Sequence, residues 1–262
     1  MLKKYSNSRT LKDNIRLGML TAIVAGMVNV LSCLMFFSFT SNVTGYFALI
    51  MSELSKGNIY QFAIITLWIF AFFFGSFLSN YIVIHFNKKN AYLAHATPII
   101  LELLCLLFVG FYGNLYYTET LKETEILILI LLFAMGLQNG LTASISNFAV
   151  KTTHLTGATT DLAILLSMST HKDYKHNIEI RNKTKLLLSI FLSYVIGALI
   201  ASLAYSVVKF KVFYVVSLFL FVVIAYDLYK IRSVKLMVKE RKKRINSRVL
   251  KKKSIPTPPC SV

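Results

Sequence analysis

The chain of 262 residues is 56% hydrophobic, and its 15% of charged residues falls well below the roughly 25% of an average soluble domain. Four uncharged runs each reach the about 20 residues that a helix needs to cross the hydrocarbon core, so we predict an integral membrane protein with no separate soluble domain. The three cysteines are scattered and predict neither a disulfide framework nor a metal site, and we expect no cofactor.

Six membrane-spanning helices are predicted, which makes the fold class an all-α polytopic bundle. The first uncharged run follows basic residues, but it is longer than the about 7–15 residues of a signal-peptide core, so we interpret it as a retained helix. Two weaker spans contain an acidic residue, Glu102 in one and Asp227 near the end of the other. In chain order the predicted spans are Leu17–Phe39, Phe62–Ile84, Pro98–Tyr117, Ile126–Ser146, Leu186–Val208 and Val212–Tyr229.

Basic residues cluster at both ends of the chain, in residues 1–16 and in the tail at 230–262. By the positive-inside rule, we expect both termini to be cytoplasmic in a bacterial cytoplasmic membrane. The tail segment 'KERKKRINSRVLKKK' also permits nucleic-acid binding, but a polybasic run beside a membrane span favours anionic lipid. We therefore expect the lipid bilayer, with anionic lipid at the tail, as the partner. The final 'TPPCSV' is typical of a disordered segment, and a homo-oligomer is compatible with the sequence.

An internal repeat divides the six spans into two halves of three, residues 17–117 and residues 126–229. In each half, a G-x-x-N segment in the first span precedes a Thr-Gly pair, and a further glycine lies in the next span. Since each half has an odd number of spans, we expect the second half to enter the membrane from the opposite side, as in inverted-repeat transporters. The matched residues are Gly26 with Gly136, Asn29 with Asn139, Thr44-Gly45 with Thr156-Gly157, and Gly75 with Gly197.

A short apolar segment follows each Thr-Gly pair, at Tyr46–Leu54 and at Ala158–Ser169. Both are too short to cross a bilayer, so we predict re-entrant or broken half-helices at a site near the membrane midplane. The positive ends of two such helices favour an anion if they converge, whereas ordinary interfacial capping is the alternative interpretation. The predicted N-caps are Thr44 and Thr156, and the glycines that allow close backbone approach are Gly45 and Gly157.

Polar residues in or beside the spans are candidates for a substrate path, with helix–helix hydrogen bonding as the alternative role. Glu102 and Asp161 are candidates for a coupling charge. Glu102 follows Thr97-Pro98, which is typical of a helix start, so it can equally compensate the helix dipole, and Asp161 can equally cap its helix and face water. The five histidines show no metal-ligand spacing and are expected at the surface. The substrate-path candidates are Asn29, Asn42, Thr44, Gly45, Gln138, Asn139, Thr153, Thr156 and Gly157.

The G-x-x-N segment, the Thr-Gly pair after an aromatic-rich stretch, 'GLQN' and 'TTHLTG' together resemble the YoaK family of small bacterial membrane proteins. The resemblance covers most of the chain, from about Gly18 to Tyr229. The family usually has Asp where this chain has Asn29, and Asn after the first Thr-Gly pair where this chain has Tyr46. Its function is unknown, so the resemblance implies a membrane location and a fold but no substrate.

We predict a secondary transporter or channel for a small solute or ion. A non-transporting scaffold, whose basic tail binds lipid or a cytoplasmic partner, is the alternative. A membrane enzyme would need a cluster of nucleophile, base or metal ligands, and the sequence contains no such arrangement.

Overall fold

The computed structural model describes residues 9–225, apart from the side chains at positions 88, 89 and 91. Within this range the regular structure is helical and contains no strand, which confirms the predicted all-α class. Residues 1–222 form one compact unit, and of the second unit, residues 223–262, only residues 223–225 are described. The predicted basic tail, Asp227 and the end of the sixth predicted span lie outside the described residues.

The described helices include five stretches that are long and apolar enough to cross a membrane, so the predicted polytopic bundle is confirmed. In chain order the helices are α1 (Leu11–Phe36), α2 (Val43–Ser55), α3 (Ile59–Leu115), α4 (Leu121–Ile145), α5 (Leu155–Thr170), α6 (Ile178–Val208) and α7, described over residues 212–225. Asn90, with φ −156° and ψ 95°, divides α3 into α3N (Ile59–Asn87) and α3C (Tyr92–Leu115). The last apolar stretch, Ile178–Ala225, is 48 residues long and is interrupted at Lys209, where φ is 47°.

Polar caps extend two spans beyond their apolar runs. α1 starts at Leu11, ahead of the predicted Leu17, because Thr10 and Asp13 form a reciprocal capping box. The Asp13 carboxylate accepts the Thr10 backbone N–H at 3.1 Å, and the Thr10 hydroxyl accepts the Asp13 backbone N–H at 3.3 Å. Thr120 caps α4 in the same way. The apolar run therefore marks the part of a helix that can lie in lipid, whereas the cap marks where the helix begins.

The predicted start of the third span at Thr97-Pro98 is wrong. α3C begins at Tyr92, and Pro98 lies inside it, where its missing N–H removes one backbone hydrogen bond. The start is set upstream because Asn90 breaks the backbone and its side-chain oxygen accepts a backbone N–H of the new helix at 3.4 Å. Glu102 therefore lies about three turns into the span and is not placed to compensate the helix dipole in a first turn.

Two close helix crossings lie in the unit of residues 1–222, α1 against α6 and α3N against α4. At both crossings, two glycines, one from each helix, lie against the backbone of the facing helix. A Cβ atom at any of these four glycines would overlap a carbonyl oxygen of that helix. Small residues are the usual means by which membrane helices approach closely. The facing pairs are Gly26 with Tyr194, Gly197 with Ile23, Gly136 with Phe72, and Gly75 with Phe133.

Contacts along each crossing advance in the same direction on both helices, so the paired helices run parallel. An earlier residue of one helix meets an earlier residue of its partner, and a later residue meets a later one. These contacts are Gly18–Ile190 and Gly26–Ala198 for α1 and α6, and Trp68–Glu125 and Asn80–Ser144 for α3N and α4.

The two short helices pack on different spans. α2 has 13 residues and lies against α3, where the rings of Tyr46 and Trp68 meet edge to face with their centroids 5.5 Å apart. α5 has 16 residues and lies against α6, where Asp161 pairs with Lys183 at 3.5 Å. Both helices are shorter than the about 20 residues of a span, as the two apolar segments after the Thr-Gly pairs predicted.

Candidate functional site

Asn29 of α1 joins the end of α1, the connection to α2, and α6. Its side-chain oxygen accepts the backbone N–H and the hydroxyl of Thr40, each at 2.9 Å. Its amide nitrogen donates to the hydroxyls of Ser41 and Tyr194, each at 2.6 Å. The residue is only 7% exposed, and the four bonds use both donors and both lone pairs of the amide.

Asn139 of α4 forms a similar but incomplete set of hydrogen bonds. Its amide nitrogen donates to the Thr153 hydroxyl at 2.5 Å, and its oxygen accepts from the Thr152 hydroxyl at 3.3 Å. The predicted repeat matches Thr152 and Thr153 with Thr40 and Ser41, the partners of the first asparagine. Asn139 is half-buried, and its second amide hydrogen forms no bond among the described residues.

A cavity of about 480 Å³ opens beside Asn139, between α3N and α4. Its volume falls within the roughly 300–1,000 Å³ of small-molecule sites, which combine an apolar lining with a few convergent polar groups. Lys151 and His154, in the connection between α4 and α5, add basic groups at one end. The aromatic wall contains Phe72, Phe73 and Phe77, and the polar groups include those of Asn80, Asn139 and Thr153.

The threonines of the Thr-Gly pairs are not the N-caps, so the predicted capping role of Thr44 and Thr156 is wrong. α2 is capped by Asn42, whose side-chain oxygen accepts the Gly45 N–H at 3.1 Å. His154 occupies the N-cap of α5 and makes no side-chain capping bond. Each helix starts one residue before its threonine, and in α2 the N-cap position is the one from which the Asn42 side chain reaches the third N–H. Both threonines are exposed.

The glycines of the Thr-Gly pairs leave room for the N-cap side chains. A Cβ atom at Gly45 would lie 2.6 Å from Asn42 Nδ2, and one at Gly157 would lie 2.8 Å from His154 Nδ1. Asn42 and Gly45 line a cavity of about 490 Å³ beside α2, whereas Gly157 lines a cavity of about 460 Å³ between α5 and α6. The structure thus places the two helix starts at separate cavities and does not bring them together.

Gln138 and Asp161 connect helices rather than line the cavity beside Asn139. Gln138 is 1% exposed, and its amide nitrogen donates to the Thr21 carbonyl of α1 at 2.5 Å. Its side-chain oxygen has no hydrogen-bond partner among the described residues. Asp161 lies on the exposed face of α5 and pairs with Lys183 of α6.

Glu102 is fully buried in α3C, and neither of its carboxyl oxygens has a hydrogen-bond partner within residues 9–225. Ile99 and Leu106 lie on the same helix face, one turn to each side, and are 2% and 0% exposed. An ionised carboxylate is strongly disfavoured in such surroundings.

Several residues around these groups were not identified from the sequence. Tyr194 completes the hydrogen bonds of Asn29 from another helix, a contact that no local pattern indicates. Asn80 is an amide within an uncharged run, and that signal could have marked it as a cavity residue. The surface position expected for the histidines is wrong for His95, which is fully buried because α3C begins at Tyr92 and places it inside the helix.

The apolar helices, the backbone contacts at glycines and the hydrogen-bonded polar groups inside the bundle define a polytopic α-helical membrane protein. The family described as "Protein of unknown function (DUF1275)" matches residues 17–226, and the chain belongs to this family. The matched range is close to the range over which the sequence resembles the YoaK family. No curated protein and no solved structure matches the chain.

Proposed function

We propose that this protein is a secondary transporter or channel for a small polar solute or ion, which binds in the cavity between α3N and α4. The observation that carries the proposal is that Asn80, Asn139 and Thr153 line the same cavity as several aromatic side chains. Polar side chains within membrane spans mark substrate pathways when they face a cavity instead of only one another. The second amide hydrogen of Asn139, unbonded among the described residues, is a donor for a polar solute in the cavity.

The connection between α4 and α5 links solute binding to movement in this proposal. Asn139 holds the connection through Thr152 and Thr153, and the same connection contributes Lys151 to the cavity. A solute that competes for the Asn139 amide would loosen this attachment and free α5 to shift on α6. Differential contact with two arrangements of one segment is what allows a ligand to change a conformational equilibrium.

We further propose that residues 17–117 and 126–229 are inverted repeats with six spans in total, the sixth beginning at residue 212 after the break at Lys209. The glycine contacts support this arrangement, because each crossing is converted into the other when the matched residues are exchanged. An exchange of the halves converts the pair α1 and α6 into the pair α4 and α3N, so both pairs must have the same relative direction. Both pairs are parallel, as this requires. The exchanged contacts are Gly26–Tyr194 with Gly136–Phe72, and Gly197–Ile23 with Gly75–Phe133.

The difference between the two asparagines fits a transporter in one of its two states. Asn29 is saturated and bonded to Tyr194, whereas Asn139 has a donor that is unused within residues 9–225 and lies beside an open cavity. In inverted-repeat transporters, each half adopts in turn the conformation of the other. The opposite state would therefore open a cavity at Asn29, between α1 and α6, and close the one at Asn139.

The test begins with the purified protein in detergent and a panel of amino acids, sugars, short carboxylates and monovalent and divalent ions. A solute that raises the unfolding temperature is then assayed for uptake into proteoliposomes. Asn80→Leu and Thr153→Val are expected to abolish both stabilisation and uptake, because each removes a polar group of the cavity. Thr160→Val, at an exposed threonine of α5 outside the lining of this cavity, is the matched control. Uptake that persists in both cavity variants, at equal protein amounts, contradicts the proposal.

A further inference from the structure

The carboxyl group of Glu102 lies inside α3C and has no hydrogen-bond partner in the part of the chain that the structure describes. It has no exposed surface and no hydrogen bond on either oxygen among the described residues. Buried polar groups in proteins are almost always hydrogen-bonded, and acidic residues inside spans are costly and usually functional. Neighbouring positions on the same face, such as Leu106, are apolar and fully buried. An apolar side chain of similar size would fill this space without the cost, so packing does not account for the carboxyl group.

Few titratable groups face Glu102. Cys105 of the same helix is near enough to interact with it electrostatically. His95 lies two turns earlier on α3C and is also fully buried. Among the described residues, no ion pair involves Glu102 and no hydrogen bond reaches its carboxyl oxygens.

A second buried acid in the same bundle, Glu125, differs from Glu102 because its carboxyl group has hydrogen-bond partners. Glu125 of α4 is 6% exposed, and its two carboxyl oxygens accept from the Tyr60 hydroxyl at 2.6 Å and from the Gln61 amide at 3.0 Å. Both carboxyl oxygens of Glu125 thus have a hydrogen-bond donor from α3N, whereas neither carboxyl oxygen of Glu102 has one among the described residues.

We propose that Glu102 is a proton-binding site in the membrane interior, and that the protein couples solute movement to the binding and release of this proton. The described conformation is the protonated state, because the neutral acid can remain buried without a partner. In a conformation that admits water, the O–H bond of the carboxyl breaks and the proton passes to water. The bond re-forms with a proton from water on the other side of the membrane. Only the coupling half of this proposal rests on the proposed transport function.

Proton binding is tested without any solute, by infrared difference spectroscopy of the protein in lipid as the pH is raised from about 6 to about 10. The carbonyl stretch of a protonated carboxylic acid is expected to decrease over this range in the wild type. Glu102→Gln should lose that band completely while unfolding at the wild-type temperature, because glutamine reproduces the shape and neutrality of the protonated acid. Glu125→Gln, the matched control, should retain the band.

A second measurement keeps the proposal testable if the infrared band is obscured. Dicyclohexylcarbodiimide, an apolar reagent for protonated carboxyls, is expected to modify Glu102 near neutral pH and to modify it less in alkaline solution, as read by peptide mass spectrometry. The proposal is overturned if the extent of labelling or the infrared band does not change with pH. Either result would show that the proton on Glu102 does not exchange with water. If proton binding is observed but no solute binds the cavity, the transport function fails and the proton site stands.

Discussion

Replacing Asn29 with alanine removes four hydrogen bonds that join α1, the connection to α2 and α6. A side-chain hydrogen bond between membrane helices is worth about 0.6 kcal/mol on average, so four correspond to about 2.4 kcal/mol. The Thr40 hydroxyl can turn towards another acceptor, and the Ser41 and Tyr194 hydroxyls, which accept from the Asn29 amide, can turn towards other partners. The Thr40 backbone N–H cannot, and a buried donor without a partner costs about 1–3 kcal/mol by itself. We therefore expect Asn29→Ala to lower the free energy of unfolding by about 2–4 kcal/mol.

Asn139→Ala is the matched control, because it removes two bonds from a half-buried residue, one of them at 3.3 Å. We expect it to cost about 1 kcal/mol. Asn29→Asp should cost less than Asn29→Ala, since a carboxylate keeps both acceptors for Thr40 and the Ser41 and Tyr194 hydroxyls can turn to donate. Unfolding is followed in mixed micelles of mild detergent and dodecyl sulfate, with the fluorescence of Trp68, the single tryptophan, as the signal. Equal midpoints for the two alanine variants would refute this reasoning.

Two further predictions concern the helix crossings and the orientation of the halves. Gly136→Ala places a Cβ atom against the backbone oxygen of Phe72 and should destabilise by about 1–3 kcal/mol. Gly18→Ala meets side-chain carbons of Ile190 and Val150 instead of backbone, and it should cost less in the same unfolding assay. Ser55→Cys and Lys172→Cys, in a chain without its native cysteines, should react with a membrane-impermeant maleimide from opposite sides of the membrane. Labelling of both from one side contradicts the inverted arrangement of α2 and α5.

Much of the fold could be predicted from the sequence, because the length of an apolar run is a local property. A helix must satisfy its backbone hydrogen bonds within itself in lipid, so an uncharged run of sufficient length implies a spanning helix. The helix ends were less predictable. Thr10 extends α1 beyond its apolar run, and Asn90 starts α3C upstream of a proline that is otherwise typical of a helix start. In both cases a hydrogen-bonding side chain, not hydrophobicity, decides the boundary.

The candidate site was predictable only as a set of separate residues. The sequence matches Asn29 with Asn139 and places each before a Thr-Gly pair, but it does not say which helices meet at either asparagine. That contact decides their different states, since Tyr194 covers Asn29 while an open cavity lies beside Asn139. The Thr-Gly pairs are equally recognisable in the sequence, and their placement at separate cavities depends on α2 packing against α3 and α5 against α6.

The sequence by itself determined that this protein lies in the membrane, that its helices are spans and short segments, and that its halves share landmarks. These properties follow from hydrophobicity and residue spacing, which act along the chain. The tertiary structure alone decided that Asn29 is saturated and that the buried Glu102 has no hydrogen-bond partner within residues 9–225. A residue's burial and hydrogen bonds depend on groups distant in sequence, because the free energy of a polar side chain in the membrane is set by whatever the neighbouring helices bring to it.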